Sequence, residues 1–146
     1  MSALDIAADF IRKHEGCILT AYRDQGGVWT IGYGATGADV TEGTVWTLEQ
    51  AENRLQSDCA KVCTGVAKLV IVQLTDKQSA AIISFAFNLG VSALAHSTLL
   101  TLLNQRDFMS TAQEFIRWCR VGSHEKVKGL LIRRLHEAAL FLEGTP

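Results

Sequence analysis

Residues 14–36 run HEGCILTAYRDQGGVWTIGYGAT, and the periodicity of the chain changes inside them. Before this stretch, Leu4, Ala7, Ala8 and Ile11 recur at helix spacing, flanked by Ile6 and Phe10, so a helix ending near His14 is expected. After Gly16 the apolar residues alternate instead. Leu19, Ala21, Trp29, Ile31 and Tyr33 read as short strands, and Arg23-Asp24-Gln25-Gly26-Gly27 reads as their hairpin turn, because glycine supplies positive φ at no steric cost. Seven of the 12 glycines lie between Gly16 and Gly43, and only five in the following 103 residues. A small Gly-rich sheet lobe is therefore expected at about 16–45.

Outside that lobe the pattern is helical. Thr47-Leu-Glu-Gln50 has the form of a capping box, and Leu48, Ala51, Leu55, Cys59 and Val62 continue behind it at helix spacing. Thr75-Asp-Lys-Gln78 is a second box, opening Ala80–Leu89 with Gly90 at the stop. Thr111-Ala-Gln-Glu114 reads as a third, before Phe115 and Trp118, and a last helix is expected from about Lys126 to Glu143, ending at Gly144. No repeat or low-complexity linker divides the chain. The expected fold is α+β in a single domain, 1–146. The sheet lobe joins a larger helical lobe (about 65–146 plus the N-terminal helix), with a binding cleft between them.

Composition narrows the function classes. A chain of 146 residues, 48% hydrophobic and 20% charged, is globular, and its formal charge of −1 argues against a general nucleic-acid binder. Residues 78–105 carry no Asp, Glu, Lys or Arg, long enough by count to span a bilayer. Gln78, Ser84, Asn88, His96, Ser97 and Asn104 interrupt the run, so it reads as two buried helices broken at Asn88-Leu-Gly90, without stable membrane insertion. Asp5, Asp9, Arg12, Lys13 and Glu15 break any secretory h-region, so accumulation in the cytoplasm is expected. Cys17, Cys59, Cys63 and Cys119 then read as free thiols. His14, His96, His124 and His136 are singletons without metal-ligand spacing, so neither a metal nor a cofactor is expected. His14 and His96 read as structural.

The candidate chemistry sits in the opening stretch. Glu15 falls at the end of the first helix, where the negative end of the dipole disfavours ionisation; with apolar burial it would suit a proton donor near neutral pH. Asp24 lies at a turn that keeps it ionised, and Thr30 presents a hydroxyl from the following strand. Two carboxylates in opposed environments plus a positioning hydroxyl suit hydrolysis of a glycosidic bond. The plainer alternative is a frayed helix end, a turn residue and a strand former. Spacing alone does not choose.

A resemblance does. Glu15-Gly16, Leu19, Ala21-Tyr22, Asp24, Gly27 and Trp29-Thr30-Ile31-Gly32-Tyr33-Gly34 resemble the signature of phage-type lysozymes, the endolysins of glycoside hydrolase family 24. The likeness continues through Leu74-Thr75, Gln78, Ser84-Phe85-Ala86-Phe87-Asn88, Gly90, Ser97-Thr98-Leu99-Leu100 and Asn104. It ends with Phe115, Trp118, Gly122, Gly129-Leu130, Arg133-Arg134 and Glu137. It implies a lysozyme-like two-lobed fold and a catalytic trio at Glu15, Asp24 and Thr30. Glu15 would be the general acid, while Asp24 and Thr30 position water for an inverting cleavage. Some relatives carry Cys where this chain has Asp24. The implied substrate is peptidoglycan, cut at the β-1,4 bond between N-acetylmuramic acid and N-acetylglucosamine, with host-cell lysis as the outcome. The alternatives are a lytic transglycosylase on the same glycan and a catalytically inactive glycan-binding relative.

Tyr33, Asn88 and Arg133 are the candidate substrate-binding residues. Asn88 would supply an amide at the back of the cleft or else cap its helix. Trp29, Tyr33 and Trp118 would stack on sugars or serve as core, with core favoured for Trp118. Residues 117–134 carry Arg117, Arg120, Lys126, Lys128, Arg133 and Arg134 against Glu125, a net +5 against −6 for the remainder. That segment reads equally as a basic patch attracting the carboxylates of stem peptides, or as a helix face with Arg133 or Arg134 paired to Glu137. Some relatives carry an N-terminal membrane anchor; this chain resembles the type without one. By that likeness it would wait as a monomer in the host cytoplasm, pass through lesions made by a separate holin, and act on the periplasmic wall.

Overall fold

The computed structural model describes residues 1–121, 125–126 and 128–146, with 120–121 and 125–126 described by backbone alone. Gly122 and His124, singled out in the sequence, lie outside the described residues. Helix α1 (Ala3–Glu15) leads into a hairpin of β1 (Ile18–Arg23) and β2 (Trp29–Gly32). Helix α2 (Leu48–Leu69) leads away from it to α3 (Asp76–Leu89), α4 (Val91–Ala95), α5 (Thr98–Asn104), α6 (Phe108–Phe115) and α7 (Lys128–Glu143). A two-residue ladder of β3 (Arg120–Val121) and β4 (Glu125–Lys126) precedes α7.

The caps explain most boundaries. Ser2 and Asp5 close a capping box on α1, Thr47 and Gln50 on α2, and Thr75 and Gln78 on α3, the last two at the boxes read from sequence. The third box is corrected. Asp107, whose carboxylate accepts from Ser110 N, caps α6, while Thr111 lies inside that helix and donates its hydroxyl to the Asp107 carbonyl at 2.7 Å. An Asp four residues earlier out-competes a threonine as cap. The last helix begins at Lys128 rather than about Lys126.

The uncharged run 78–105 forms three helices instead of two. The break at Gly90 is as expected, but Ser97 starts a further helix, accepting from Leu100 N at 3.0 Å. Helix α3 is buried nearly all round, through Ala80, Ala81, Ile82, Ile83, Phe85 and Ala86. Phe85 packs edge-on against Phe115 and Trp118, with ring centroids 5.6 and 5.5 Å away, and Phe115 continues to Phe141. Trp118 is thus part of the core. An uncharged, all-round apolar helix reflects its place at the centre of the helical lobe. No helix among the described residues is long and apolar enough to cross a membrane.

The sheet lobe is small and built on glycine. In the hairpin Tyr22 pairs with Thr30 and Arg23 with Trp29, with a bulge between Ile18 and Tyr22. Residues 44–46 run along the other edge of β1, through Ala21 N to Thr44 O and Trp46 N to Leu19 O, both 2.9 Å. Ile31, Ala35 and Val40 form its own small core.

Candidate active site

Glu15 is the last residue of α1, and Gly16 lets the chain leave the helix at φ 65°. That turn projects the carboxyl towards the start of the sheet lobe, where Gly34 meets it. A Cβ on Gly34 would stand 3.1 Å from Glu15 Oε2, and its φ of 84° is also a glycine conformation. The close approach of backbone to carboxyl is why a glycine is required there.

The other carboxyl oxygen is held from behind. Arg133 Nη1 donates to Glu15 Oε1 at 2.6 Å, across 118 residues of sequence. This differs from the apolar surroundings expected of Glu15, whose side chain is 22% exposed and ion-paired. Arg133 also approaches Glu137 Oε2 and the Ser84 carbonyl, each at 3.4 Å, from a side chain only 5% exposed. Arg134 and Glu137 complete the group: both side chains are wholly buried, with Nε and Oε1 2.6 Å apart. That contact is an ion pair without hydrogen-bond alignment, and Arg134 Nη1 lacks a partner among the described residues. Arg134 Nη2 reaches Asn88 Oδ1 at 2.9 Å and Glu137 Oε2 at 3.1 Å, and the guanidinium stacks 5.3 Å from the Phe85 ring centre. Burial pushes the Glu137 carboxyl upward, against the opposing pull of Arg134, Ser84 and Arg133. Burial likewise pulls Arg134 down, against Glu137.

The pairing of Arg133 and Arg134 with Glu137 removes both from the basic surface proposed for 117–134. Their charges are internal. Arg117 is exposed and within 3.3 Å of Glu114, and the side chains of Arg120 and Lys126 lie outside the described residues.

Asp24 sits at the head of the hairpin turn, exposed, and it organises that turn. Its carboxyl oxygen accepts from Val28 N at 2.9 Å, while its own N–H donates to the Val28 carbonyl at 3.0 Å. Thr30 is 5% exposed and donates its hydroxyl to the same Val28 carbonyl at 2.9 Å, which leaves its oxygen lone pairs as acceptors. Asp24 and Thr30 are therefore tied through one residue, Val28.

Tyr22, part of the sequence motif but without a role read from it, also belongs to the site. It pairs opposite Thr30, so the two share a face of the hairpin. Burial raises its phenol above the usual range, and the negative charges of Glu15 and Asp24 push it further up. The phenol thus stands in the field of both candidate catalytic carboxylates. The usable signal was register: Tyr22, Asp24 and, across the ladder, Thr30 fall on one face.

The three binding candidates are each engaged within the protein. Tyr33 is 9% exposed and donates its hydroxyl to Glu52 Oε1 at 2.5 Å, a bond that raises its phenol to about 12. Glu52 in turn is held by Arg12 at 2.8 Å, so the Tyr33 hydroxyl fastens the sheet lobe to α1 and α2. Asn88 does not cap α3, a role that falls to Gly90; its carbonyl oxygen is engaged by Arg134. Arg133 reaches Glu15 rather than solvent. Substituting Tyr33→Phe should cost about 1.5–3 kcal/mol, the range for a bond to a charged group. It should leave turnover near wild type; parallel denaturant unfolding and activity assays check both.

A groove of about 320 Å³ leads away from Gly34 between the lobes. Thr36 lines it on the sheet side, Arg54, Asp58 and Lys61 on α2, and Phe87 on α3. Arg54 is braced by Asp58 at 3.1 Å and Asp39 at 2.8 Å. The groove thus offers a hydroxyl, three charged side chains and one aromatic ring, groups that can hydrogen-bond and stack against a hydroxylated polymer. Among the described residues no group of three or more His, Cys, Asp or Glu side chains is placed to hold a metal.

Comparison with known proteins places the family and the fold. A family model described as phage lysozyme matches residues 12–137. An endolysin of Bacillus phage B103 is 38% identical over 99% of this chain, which covers 55% of it, so the chain spans about half that relative's length. Two solved structures share the fold, an endolysin from Escherichia coli O157:H7 phage FAHEc1 and the muramidase domain of SpmX from Asticaccaulis excentricus. The first superposes with a TM-score of 0.90 at 33% identity, over 98% of this chain and 94% of that one. The second gives 0.87 at 33% identity, over 96% and 95%.

Proposed function

The chain belongs to the phage lysozyme family, and from that premise we propose that it hydrolyses the glycan strands of peptidoglycan. The bond cut is the β-1,4 link between N-acetylmuramic acid and N-acetylglucosamine. Glu15 protonates the leaving glycosidic oxygen. Asp24 and Thr30 hold a water on the opposite face of the sugar, and that water attacks the anomeric carbon in a single displacement.

The observation that carries this reading is the placement of Glu15. Its carboxyl ends a helix, is fixed by a buried guanidinium 2.6 Å away, and stands against Gly34 at the mouth of the polar groove. The β1–β2 hairpin supplies a second carboxylate and a hydroxyl bound through Val28. One group gives a proton and the other two order water, and neither role requires a metal.

The rival chemistry on this glycan is transglycosylation, in which the muramic acid 6-hydroxyl replaces water. It needs the acid but no water-ordering carboxylate. Mass analysis of digested, purified peptidoglycan separates the two. Hydrolysis leaves reducing ends, whereas transglycosylation leaves products lighter by one water with anhydro-muramic ends. The expected result is reducing ends only, with Asp24→Asn slowing turnover by a factor on the order of 100. Anhydro products, or an Asp24→Asn variant as fast as the parent, would overturn the assignment.

A further inference from the structure

His14 and His136 are 122 residues apart in sequence, and the fold sets them face to face. His14 lies in the last turn of α1 and His136 on the outward side of α7, with His14 Nε2 and His136 Nδ1 3.2 Å apart. Two imidazole nitrogens bound tetrahedrally to one ion at about 2.0–2.1 Å lie roughly 3.3 Å from each other. The observed separation matches that of a chelate and equally that of a ring N–H···N hydrogen bond, which a bound ion would replace. Other features of the surroundings suit a chelate. Phe10 packs on the His14 ring with centroids 4.5 Å apart and fixes its plane. His136 is exposed, so water can complete the coordination. The two nearby guanidiniums are ion-paired, Arg133 with Glu15 and Glu137 and Arg134 with Glu137.

We propose that His14 and His136 form a two-histidine site for a divalent transition metal of the nickel, copper or zinc type. Neutral imidazole is a ligand for these ions and a poor one for magnesium or calcium, which prefer oxygen. Among the described residues no third protein ligand joins the pair, so affinity is set by two nitrogens and solvent. The bound ion would clamp the turn of α1 that carries Glu15 to the turn of α7 that carries Arg133. It acts as a brace on the site and supplies no chemistry to the reaction.

The test is calorimetric titration of the whole chain with Ni²⁺, together with thermal unfolding in Ni²⁺ and in Mg²⁺. Because His136 is exposed, His136→Ala should fold as the parent does; His14→Gln is the second variant, and His96→Ala the control. The expected result is one Ni²⁺ per chain, with a melting temperature raised by Ni²⁺ and unmoved by Mg²⁺. At one hundred times Kd the folded-to-unfolded ratio should rise about 100-fold. Binding and shift should both vanish in His136→Ala and His14→Gln and persist in His96→Ala. No binding to the parent, or binding that survives in His136→Ala, would overturn the proposal.

Discussion

Glu15→Gln should lower the rate of cell-wall clearing by about 10²- to 10⁴-fold, the usual contribution of a positioned general acid. Gln keeps an oxygen that can accept from Arg133 Nη1, and it keeps the side-chain volume beside Gly34. It lacks the proton. The loss should therefore fall on turnover while the far-ultraviolet spectrum and substrate binding stay close to the parent. Turbidity loss of purified peptidoglycan and a pull-down on the same material measure the two separately. A variant that clears as fast as the parent would show that Glu15 is not the acid. One that neither binds nor folds would place its contribution in the ion pair with Arg133.

Glu137→Gln should have the largest effect on stability. Glu137 is wholly buried, and it is the counter-charge to Arg134 and, with Glu15, to Arg133. Removing one partner of such a group strands charge in a low-dielectric interior, at a cost of about 3–5 kcal/mol. Replacing the pair together removes that penalty, so Arg134→Met with Glu137→Leu should recover much of the loss. Chemical denaturation of the two variants decides it, since a double variant as unstable as the single one would contradict the argument from stranded charge. Activity should follow a different order. Both variants take Arg133's second carboxylate away, so both should clear cell walls more slowly than the parent at a temperature where both are folded.

The parts of this fold that were legible in the sequence are those written in local chemistry. Gly16 after Glu15, the cluster of glycines before Gly43, and the boxes at Thr47 and Thr75 each act within a few residues, where propensity and capping govern the chain. Thr111 failed because two cap-forming residues compete within one turn, and spacing does not say which side chain faces the free N–H groups. Arg133 and Arg134 are half legible: their pairing with Glu137 is one of the two readings of the segment, and it holds, but their place in the interior is not legible. A sequence records their charge but not their burial, so two arginines that close an internal network read as surface. The contacts Arg133–Glu15 and His136–His14 join residues 118 and 122 apart, and only the packing of α1 and α7 against α3 creates them. Tyr33 shows the same limit for aromatics, since its place in the motif does not reveal that Glu52 holds its hydroxyl.

All three members of the candidate trio lie within one helix end and one hairpin, so local sequence is enough to propose them. What the structure adds is how they are held. Glu15 is gripped by a buried guanidinium instead of apolar walls, Asp24 and Thr30 share Val28 as a partner, and Tyr22 stands in the field of both carboxylates.

The division of labour between Glu15 and the Asp24–Thr30 pair is tested most directly by the stereochemistry of cleavage. Proton magnetic resonance of the anomeric region, recorded as a soluble glycan fragment is cut and before mutarotation, reports the configuration of the new reducing end. Attack by a water held opposite the leaving group turns the β-linkage into an α-anomer at first appearance. A β-anomer formed first would mean double displacement through a covalent intermediate, and it would contradict the roles assigned to Asp24 and Thr30.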